Sequence, residues 1–271
     1  MTERGRNDIA LVISDVDGTL VTSDKRLTPA AIAAVRRLGE AGIGFTIASS
    51  RPPVGLRSLV EALALRLPMG AFNGASIVRP DLSTLHETLI PEEAAREAAA
   101  RLDAAGLDLW VFARGAWFLR DPDAPYTDLE RRTIQAEPRV ADDLGPLLAC
   151  ASKIVGVSPD AAHLAACEGE VAAALGSRAN VHRSQAYYLD VTPPGLDKGC
   201  FVDWMADHLG IPAARIATLG DAGNDAAMFA RGGLSIAMGN AEDGLKARAD
   251  TVTAANDADG FALAVARVIL A

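Results

Sequence analysis

A continuous apolar run near the N-terminus ends in two carboxylates, within the stretch LVISDVDGTLVTSD. Residues 9–13 are apolar at every position rather than at alternate positions, which predicts a strand covered on both faces, as in a parallel sheet. Asp15 and Asp17 follow this strand, and Gly18 and Thr19 come next. One acid can solvate the end of a strand, whereas two acids followed by a glycine and a hydroxyl indicate a functional site.

The segment that follows predicts a helix and a second strand. In LTPAAIAAVRRLGEAG, Thr28 is suited to cap a helix, Pro29 to begin it and Gly42 to end it. Residues 43–48 then predict a second strand, which again stops in polar side chains. A strand, a helix and a strand joined by short links predict a βαβ unit.

The C-terminal third of the chain repeats this alternation, and the middle does not. RIATLGD and LSIAMGN predict strands, and NDAAMFARGG predicts the helix between them. The middle predicts a helix, a hairpin that turns near Arg114–Gly115, and then a strand, a helix and a strand. We therefore expect an α/β fold. Residues 1–81 and 187–271 would form a core with a parallel sheet, and residues 82–186 would form an inserted α+β domain.

Charge and composition narrow the classes of partner. The 271 residues carry a net charge of −9, which disfavours nucleic acid and anionic membranes but allows one small phosphorylated ligand held by a local cation. No apolar segment reaches the ~18 residues of a membrane span. The N-terminal MTERGRND lacks a signal-peptide core, and the three cysteines are too scattered for a disulfide scaffold or a zinc ribbon. We expect a cytoplasmic protein, monomeric or homodimeric.

Ligands of open α/β sheets bind beyond the carboxyl ends of the strands. The polar residues and the glycine expected at that edge are Asp15, Asp17, Thr19, Ser49, Ser50, Arg51, Asn73, Gly74, Lys198, Asp221, Asn224 and Asp225. Crowded carboxylates repel one another and raise their pKa values unless a cation joins them. Because these are oxygen ligands without a histidine or cysteine cluster, the predicted cofactor is a hard ion, Mg²⁺.

The same residues predict a phosphoryl-transfer reaction. Ser49 and Lys198 carry side chains of the kind that binds phosphate. A carboxylate beside Mg²⁺ and a phosphate pocket can attack phosphorus and form an aspartyl-phosphate. A second acid two residues further on can protonate the leaving oxygen and then activate water.

Four motifs resemble those of the haloacid dehalogenase superfamily of phosphatases. DVDGT is similar to its first motif, Ser49 in IASSR to its second, Lys198 in TPPGLDKG to its third, and GDAGND to its fourth. The position of the insert, together with FNGA, AMGNA and DADGFA, is similar to the Cof-type subgroup. The resemblance covers about residues 9–78 and 187–270, and it implies a Rossmann-like core with a cap domain that determines the substrate.

The resemblance also implies a role for each candidate residue. Asp15 would be the nucleophile and Asp17 the general acid and base, with Ser49 and Lys198 holding the phosphoryl group. Mg²⁺ would be held by Asp15, the main-chain carbonyl of Asp17 and Asp221, with Asp225 supporting either Lys198 or the metal. The predicted substrate- and phosphate-binding residues are Thr19, Ser50, Arg51, Asn73, Gly74 and Asn224. The implied partner is a small phosphorylated metabolite, of which a sugar phosphate is the favoured class.

One motif departs from the family pattern. The second motif commonly has Thr-Gly-Arg in this subgroup, whereas this chain has Ser49, Ser50 and Arg51. Serine keeps the hydroxyl, so phosphate binding should persist. Ser50 in place of glycine restricts the backbone and would change which leaving groups fit.

Other functions stay open at this stage. A phosphomutase would share the core and the cap, and a signalling receiver domain would also gather acids, a hydroxyl and a lysine at a sheet edge. A dehalogenase would not use the paired acids, and a phosphonatase would need a cap lysine, for which the insert offers only Lys153. Trp110 and Trp117 are expected to face each other across the hairpin, where packing is favoured over a substrate contact.

Overall fold

The computed structural model describes residues 8–271, in which strands and helices alternate along most of the chain. Residues 1–7, which make up most of the MTERGRND segment, lie outside the described residues. The strands are β1 (Leu11–Ser14), β2 (Gly44–Ile47), β3 (Met69–Ala71), β4 (Ser76–Val78), β5 (Thr84–Glu87), β6 (Asp108–Ala113), β7 (Ala116–Leu119), β8 (Arg139–Val140), β9 (Ala151–Val157), β10 (Asn180–Gln185), β11 (Tyr188–Thr192), β12 (Ile216–Gly220), β13 (Leu234–Ala237) and β14 (Thr251–Val252).

Helices occupy most of the longer connections between strands. They are α1 (Pro29–Glu40), α2 (Arg57–Leu63), α3 (Glu92–Ala104), α4 (Thr127–Ile134), α5 (Ala161–Leu175), α6 (Lys198–Leu209), α7 (Ala226–Arg231), α8 (Asp243–Lys246) and α9 (Gly260–Ala264). Within the described residues, no helix is long and apolar enough to cross a membrane.

The chain divides into two compact units, and the first contains a parallel sheet. Among the described residues, this core unit comprises residues 8–50 together with Arg57–Ser83 and Asp197–Ala271. Its five-stranded sheet has the order β14-β13-β12-β1-β2, and each pair in it is parallel. Every residue of β1 and β12 is buried, as expected for central strands of a sheet covered on both faces. The predicted α/β fold is confirmed.

The first helix shows how local sequence sets an element of this unit. The side chain of Thr28 accepts a hydrogen bond from the N–H of Ala31, and Pro29 occupies the first turn. Apolar side chains at helical spacing, Val35 and Leu38 among them, are buried. The chain leaves α1 through Gly42, whose φ of 74° is the left-handed conformation that favours glycine. The predicted cap and stop of this helix are both confirmed.

The second unit, the cap unit, consists of Arg51–Leu56 and Thr84–Leu196. It contains a six-stranded sheet with the order β10-β11-β9-β6-β7-β8. One hydrophobic cluster joins a face of this sheet to α3 and α5, with Leu102, Leu164 and Leu189 among its buried members. The predicted hairpin is present as the antiparallel pair β6 and β7, and its turn at Arg114–Gly115 has positive φ at both residues.

The boundaries between the units differ from those expected from sequence. The core was expected to resume at residue 187, but β11 (Tyr188–Thr192) pairs with both β9 and β10 of the cap sheet. The chain therefore returns to the core unit only at Asp197. Arg51–Leu56 also belongs to the cap unit, since Gly55 lies so close to α4 that an added Cβ would come within 3.2 Å of Ile134 Cβ.

Candidate active site

Parallel pairing of the core strands brings two of the predicted acids together. Asp15 directly follows β1, and its N–H donates to the carbonyl of Leu219 in β12 at 2.9 Å. Asp221 directly follows β12 at the same edge of the sheet. The two carboxylates therefore meet because neighbouring parallel strands end side by side.

Lys198 bridges two buried carboxylates at this edge. Its Nζ lies 2.5 Å from Oδ1 of Asp15 and 2.7 Å from Oδ1 of Asp225. All three side chains are almost fully excluded from solvent. Lys198 is the first residue of α6, which Asp197 caps by accepting a hydrogen bond from the N–H of Cys200. The helix start thus fixes the position of the ammonium group.

The charged side chains in this cluster change one another's pKa values. Burial disfavours the ammonium form of Lys198, but Asp15 and Asp225 outweigh that effect, so the pKa of Lys198 is raised. Burial raises the pKa of Asp15 well above its usual value, opposed by Lys198 and reinforced by Asp225 and Asp221. One ammonium group among three carboxylates leaves an excess of negative charge, which a second cation would neutralise.

Asp221 is held by hydrogen bonds to both of its oxygens. The hydroxyl of Thr19 donates to Oδ1 at 3.0 Å, and the side-chain amide of Asn240 donates to Oδ2 at 3.3 Å. Burial raises the pKa of Asp221 to about 6, and the nearby Asp225 contributes to the increase. Thr19 therefore lies at the same edge of the sheet as Asp15 and Asp221, and its hydroxyl is directed at Asp221.

Asp225 supports the loop that carries Asp221. Its Oδ2 accepts hydrogen bonds from the N–H groups of Asp221 at 2.9 Å and Ala222 at 3.0 Å, while Oδ1 accepts from Lys198. These three bonds hold the ammonium and the loop in one arrangement. The position of Asp225 therefore matches the supporting role that the resemblance implies more closely than that of a metal ligand.

The acids nevertheless offer a suitable set of oxygens for a metal ion. One carboxylate oxygen from each of Asp15, Asp221 and Asp225 lies within 4.8 Å of the other two. The donors are all hard oxygens, and their charge exceeds that of Lys198. Because Mg²⁺ prefers oxygen ligands from a small number of carboxylates, these residues fit Mg²⁺.

Asp17 makes a different contact from Asp15. Its Oδ1 lies 2.9 Å from Nζ of Lys25, and its side chain remains partly exposed. Lys25 has a φ of 64°, which is a left-handed backbone conformation. Its ammonium group contacts Asp17 from that conformation. Lys25 belongs to none of the motifs, and its contact with Asp17 was not predicted from the sequence.

Gly18 lies so close to the Asp221 carboxylate that there is no room for a side chain at position 18. Its φ is 84°, and a Cβ at this position would lie 2.2 Å from Oδ2 of Asp221. The glycine between the two acids and Thr19 thus allows the loop to pass directly beside the Asp221 carboxylate.

The second predicted motif and the FNGA segment also come together. The N–H of Asn73 donates to the carbonyl of Ser49 at 2.8 Å, and the side chain of Asn224 donates to Oδ1 of Asn73 at 3.1 Å. Asn73 and Gly74 both have positive φ, and a Cβ on Gly74 would lie 3.0 Å from the carbonyl oxygen of Asp197. Ser49 and Asn73 are buried. Four of the predicted site residues, which are Ser49, Asn73, Gly74 and Asn224, therefore lie in one part of the core unit.

Arg51 and Ser50 lie at the division between the units. Ser50 is the last residue of the first stretch of the core unit, and Arg51 begins the cap unit. The buried guanidinium of Arg51 donates to the carbonyl of Gly55 at 3.3 Å. Arg51 is thus the one predicted site residue that packs as part of the cap unit.

Two asparagines near the site had no role predicted from sequence. Asn240 donates to the carbonyl of Gly18 at 2.9 Å as well as to Asp221. Asn256 donates from its N–H to the side-chain oxygen of Asn240 and from its side chain to the carbonyl of Val21, both at 3.0 Å. Their only sequence signal was that Asn240 lies in AMGNA and that Asn256 immediately precedes DADGFA. Together they tie the loop after β1 to Asp221.

Replacing Asn240 by alanine is expected to weaken Mg²⁺ binding. The substitution removes a donor that orients Asp221, and loss of such an outer contact costs about 10-fold or more in metal affinity. Isothermal titration with Mg²⁺ would measure the dissociation constant, with Asn180→Ala in the cap unit as the matched control. An unchanged Mg²⁺ affinity in Asn240→Ala would contradict this role.

Mg²⁺ is expected to stabilise the protein more at neutral pH than in acid. The raised pKa of Asp221, about 6 against 3.8, means that the metal-free folded state keeps a proton that the unfolded state loses. The contribution of this group to stability is complete below 3.8 and is lost as pH rises through about 6. Because Mg²⁺ binds the ionised carboxylate, the Mg²⁺-induced rise in Tm should be larger at about pH 7.5 than at about pH 5. An equal rise at both pH values, measured against NaCl of the same ionic strength, would contradict this prediction.

Comparisons with known proteins agree with the motifs. The family model of haloacid dehalogenase-like hydrolases matches residues 12–265. An HMP-PP phosphatase of Cronobacter sakazakii is 32% identical over 230 residues, which are 84% of this chain and 83% of that protein. A haloacid dehalogenase-like hydrolase from Bacteroides thetaiotaomicron has a similar structure, with a TM-score of 0.88 and 28% identity over 96% of this chain and 99% of that one.

A further solved structure shares the fold. It is described as a sugar phosphatase of haloacid dehalogenase subclass IIB, and it is 23% identical with a TM-score of 0.81 over 94% of this chain and 97% of that one. The chain therefore belongs to the haloacid dehalogenase-like hydrolases, which confirms the predicted family and its assignment as a phosphatase-type enzyme.

Proposed function

We propose that the protein is a Mg²⁺-dependent phosphatase that hydrolyses a small phosphorylated metabolite through a covalent intermediate on Asp15. The observation that carries the proposal is the buried cluster in which Lys198 contacts Asp15 at 2.5 Å and Asp225 at 2.7 Å, with Asp221 beside them. Burying two carboxylates and partly burying a third around one ammonium group is costly for folding alone. Clusters of this kind with shifted pKa values are typical of catalytic sites.

The proposed reaction has two steps at phosphorus. A carboxylate oxygen of Asp15 attacks the phosphorus, the bond to the leaving oxygen breaks, and Asp17 donates a proton to that oxygen. Asp17 then accepts a proton from a water molecule as the water attacks the phosphorus, and the bond to Asp15 breaks to release phosphate. Mg²⁺, when held by Asp15, the Asp17 carbonyl and Asp221, would neutralise charge on the phosphoryl oxygens.

The remaining site residues would bind and orient the substrate. Lys198 and Ser49 would hold the phosphoryl group, and Thr19 would keep Asp221 in place. Asp17 must release Lys25, which lies 2.9 Å away, before it donates to a leaving group. The residues proposed for contacts with phosphate or substrate are Ser50, Arg51, Asn73, Gly74 and Asn224.

The names of relatives support a small phosphorylated substrate. Proteins 25% to 32% identical to this chain are named HMP-PP phosphatases, and a protein of the same fold is named a sugar phosphatase. The proposal includes the cytoplasmic location and the monomeric or homodimeric state expected from sequence. Membership of a hydrolase family argues against the receiver-domain alternative.

Phosphate release from p-nitrophenyl phosphate and from a panel of metabolite phosphates tests the proposal. We expect release with Mg²⁺ and none with excess chelator, and a colorimetric phosphate assay would measure both. Phosphorus NMR of the products would detect an isomerised sugar phosphate, the sign of a phosphomutase. If no compound yields free phosphate with Mg²⁺ present, the phosphatase proposal is wrong.

A further inference from the structure

A short turn between β1 and α1 carries Lys25 to the side chain of Asp17. Nζ of Lys25 lies 2.9 Å from Oδ1 of Asp17, and the lysine side chain is 40% exposed. The buried acids of the site already have an ammonium group of their own, that of Lys198. Lys25 is therefore a second cation at the site, and the proposed reaction gives it no role in binding.

Hydrogen bonds within the turn fix the backbone that carries Lys25. The N–H of Lys25 donates to the carbonyl of Thr22 at 2.9 Å, and the N–H of Thr22 donates to the carbonyl of Arg26 at 3.0 Å. The φ of 64° at Lys25 is uncommon for a lysine and persists where the surrounding structure determines it. The other two charges of the turn pair with each other, since Nε of Arg26 lies 2.5 Å from Oδ2 of Asp24. Lys25 is thus the charge of the turn that is directed at the site.

Residues near the C-terminus anchor this turn to the core unit. Asp257 accepts hydrogen bonds from the N–H of Ser23 at 2.8 Å and from its hydroxyl at 2.6 Å. The hydroxyl of Thr28 donates to Asp259 at 2.7 Å. Because the chain is held on both sides of Lys25, the position of the ammonium group does not depend on the turn alone.

The charges of the site leave Lys25 available for an anion. The carboxylates of Asp15, Asp221 and Asp225 exceed the charge of the one buried ammonium group by two, which a bound Mg²⁺ would neutralise. Asp17 and Lys25 form a separate pair without net charge. In the proposed reaction Asp17 moves from Lys25 to the leaving oxygen, and the ammonium group then lacks its partner. An anion on the substrate would restore a charge-assisted contact.

The contact with Asp17 also limits how far such an anion can be from the reacting bond. A carboxylate oxygen of Asp17 would lie about 2.7 Å from the leaving oxygen, and Lys25 lies 2.9 Å from Oδ1 of the same side chain. Where one oxygen makes both contacts, the ammonium group is about 5 Å from the leaving oxygen. A carboxylate or phosphate joined to the leaving oxygen directly or through one carbon atom can reach it.

We propose that Lys25 binds a second anionic group of the substrate, a carboxylate or a phosphate that the leaving group carries close to the leaving oxygen. The inference rests on the proposed function, because it takes Asp17 as the residue that faces the leaving oxygen. The site then favours diphosphates and phosphate esters of α-hydroxy acids over phosphate esters of simple alcohols. Lys25 is a specificity-determining residue in this proposal.

Binding of matched ligands tests the inference without turnover. One pair is 2-phosphoglycolate and 2-phosphoglycolamide, in which an amide replaces the carboxylate, and the other is methyl diphosphate and ethyl phosphate. Phosphorus NMR titration of the full chain with saturating Mg²⁺ measures each dissociation constant in the Asp15→Asn variant, which lacks the nucleophile. We expect the more anionic member of at least one pair to bind about 10-fold more tightly. The pair that responds identifies the anion as a carboxylate or a phosphate.

Three further substitutions in that variant assign the difference to Lys25. Lys25→Met keeps an unbranched side chain without its charge and should abolish the difference within the pair. Lys25→Arg keeps the charge and should retain most of the difference. Lys246→Met, at a partly exposed lysine in α8 of the same unit, should leave it unchanged. Circular dichroism would confirm that all variants fold.

A difference that Lys25→Met removes and Lys25→Arg retains supports the inference. The inference is overturned if neither pair shows a difference, if no probe binds, or if the difference survives in Lys25→Met. Equal weakening of both members of a pair by Lys25→Met also overturns it, because the ammonium group would then contact the phosphoryl group itself. Phosphate release from p-nitrophenyl phosphate by the unmodified protein, measured in parallel, shows separately whether the proposed function holds.

Discussion

Replacing Asp15 by asparagine is expected to lower phosphate release by about 10⁴-fold or more, because the variant lacks the nucleophile on which the covalent step depends. The side chain keeps its size, so the strand that carries it should fold as before. The measurement is Mg²⁺-dependent hydrolysis of p-nitrophenyl phosphate, with circular dichroism to confirm the fold.

An acid at an exposed position provides the matched control for this substitution. Asp243 lies in α8 of the same unit with its side chain fully exposed, and Asp243→Asn should retain full activity. Full activity in Asp15→Asn as well would rule out Asp15 as the nucleophile. Loss in Asp15→Asn alone, with the fold intact, would support the covalent mechanism.

Lys198→Met is expected to be the most destabilising of the substitutions considered. The substitution leaves Asp15 and Asp225 buried without their shared counter-ion, and breaking a buried ion pair in this way costs about 3–5 kcal/mol of folding free energy. Acid should reduce the loss, because protonation removes the uncompensated charge on Asp15, whose pKa is already raised by burial. Urea unfolding at acidic and neutral pH would measure both effects.

Lys246→Met, at a partly exposed lysine in α8, provides the comparison for Lys198→Met. The control should change the free energy of unfolding by less than about 0.5 kcal/mol. If Lys198→Met were as stable as this control at neutral pH, the buried cluster would not be held together by charge. Activity should be lost in Lys198→Met even where the variant remains folded, because the phosphoryl group loses its cation.

The parts of the site that depend on strand ends were predictable from sequence. Asp15 and Asp221 each follow a continuous apolar run, and parallel pairing then places them side by side. Lys198 was predictable as well, because its segment resembles a family motif and it starts a helix. Local signals of this kind, such as strand ends and helix caps, depend on a few neighbouring residues.

Other features depend on partners that are remote in the chain. The strand of Tyr188 was placed in the core because its apolar residues do not reveal that β9 and β10 flank it. Asn240 lies in a turn, and its bonds to Gly18 and Asp221 arise only once β1, β12 and β13 have paired. The two tryptophans do pack together, as expected. The pairing that places Trp110 and Asp190 opposite the same residue of β9, Val155, was not visible in the sequence.

The contact between Gly18 and Asp221 has a consequence for any mutational scan of this protein. A side chain at position 18 would need both a left-handed backbone and the volume that the Asp221 carboxylate occupies, 2.2 Å from the added Cβ. Position 18 should therefore be as intolerant as the nucleophile itself, although glycine has no group that reacts. Loss of activity in variants at position 18 would reflect the steric requirement of the loop. A screen that ranked residues by loss of activity would therefore misassign Gly18 as a catalytic residue.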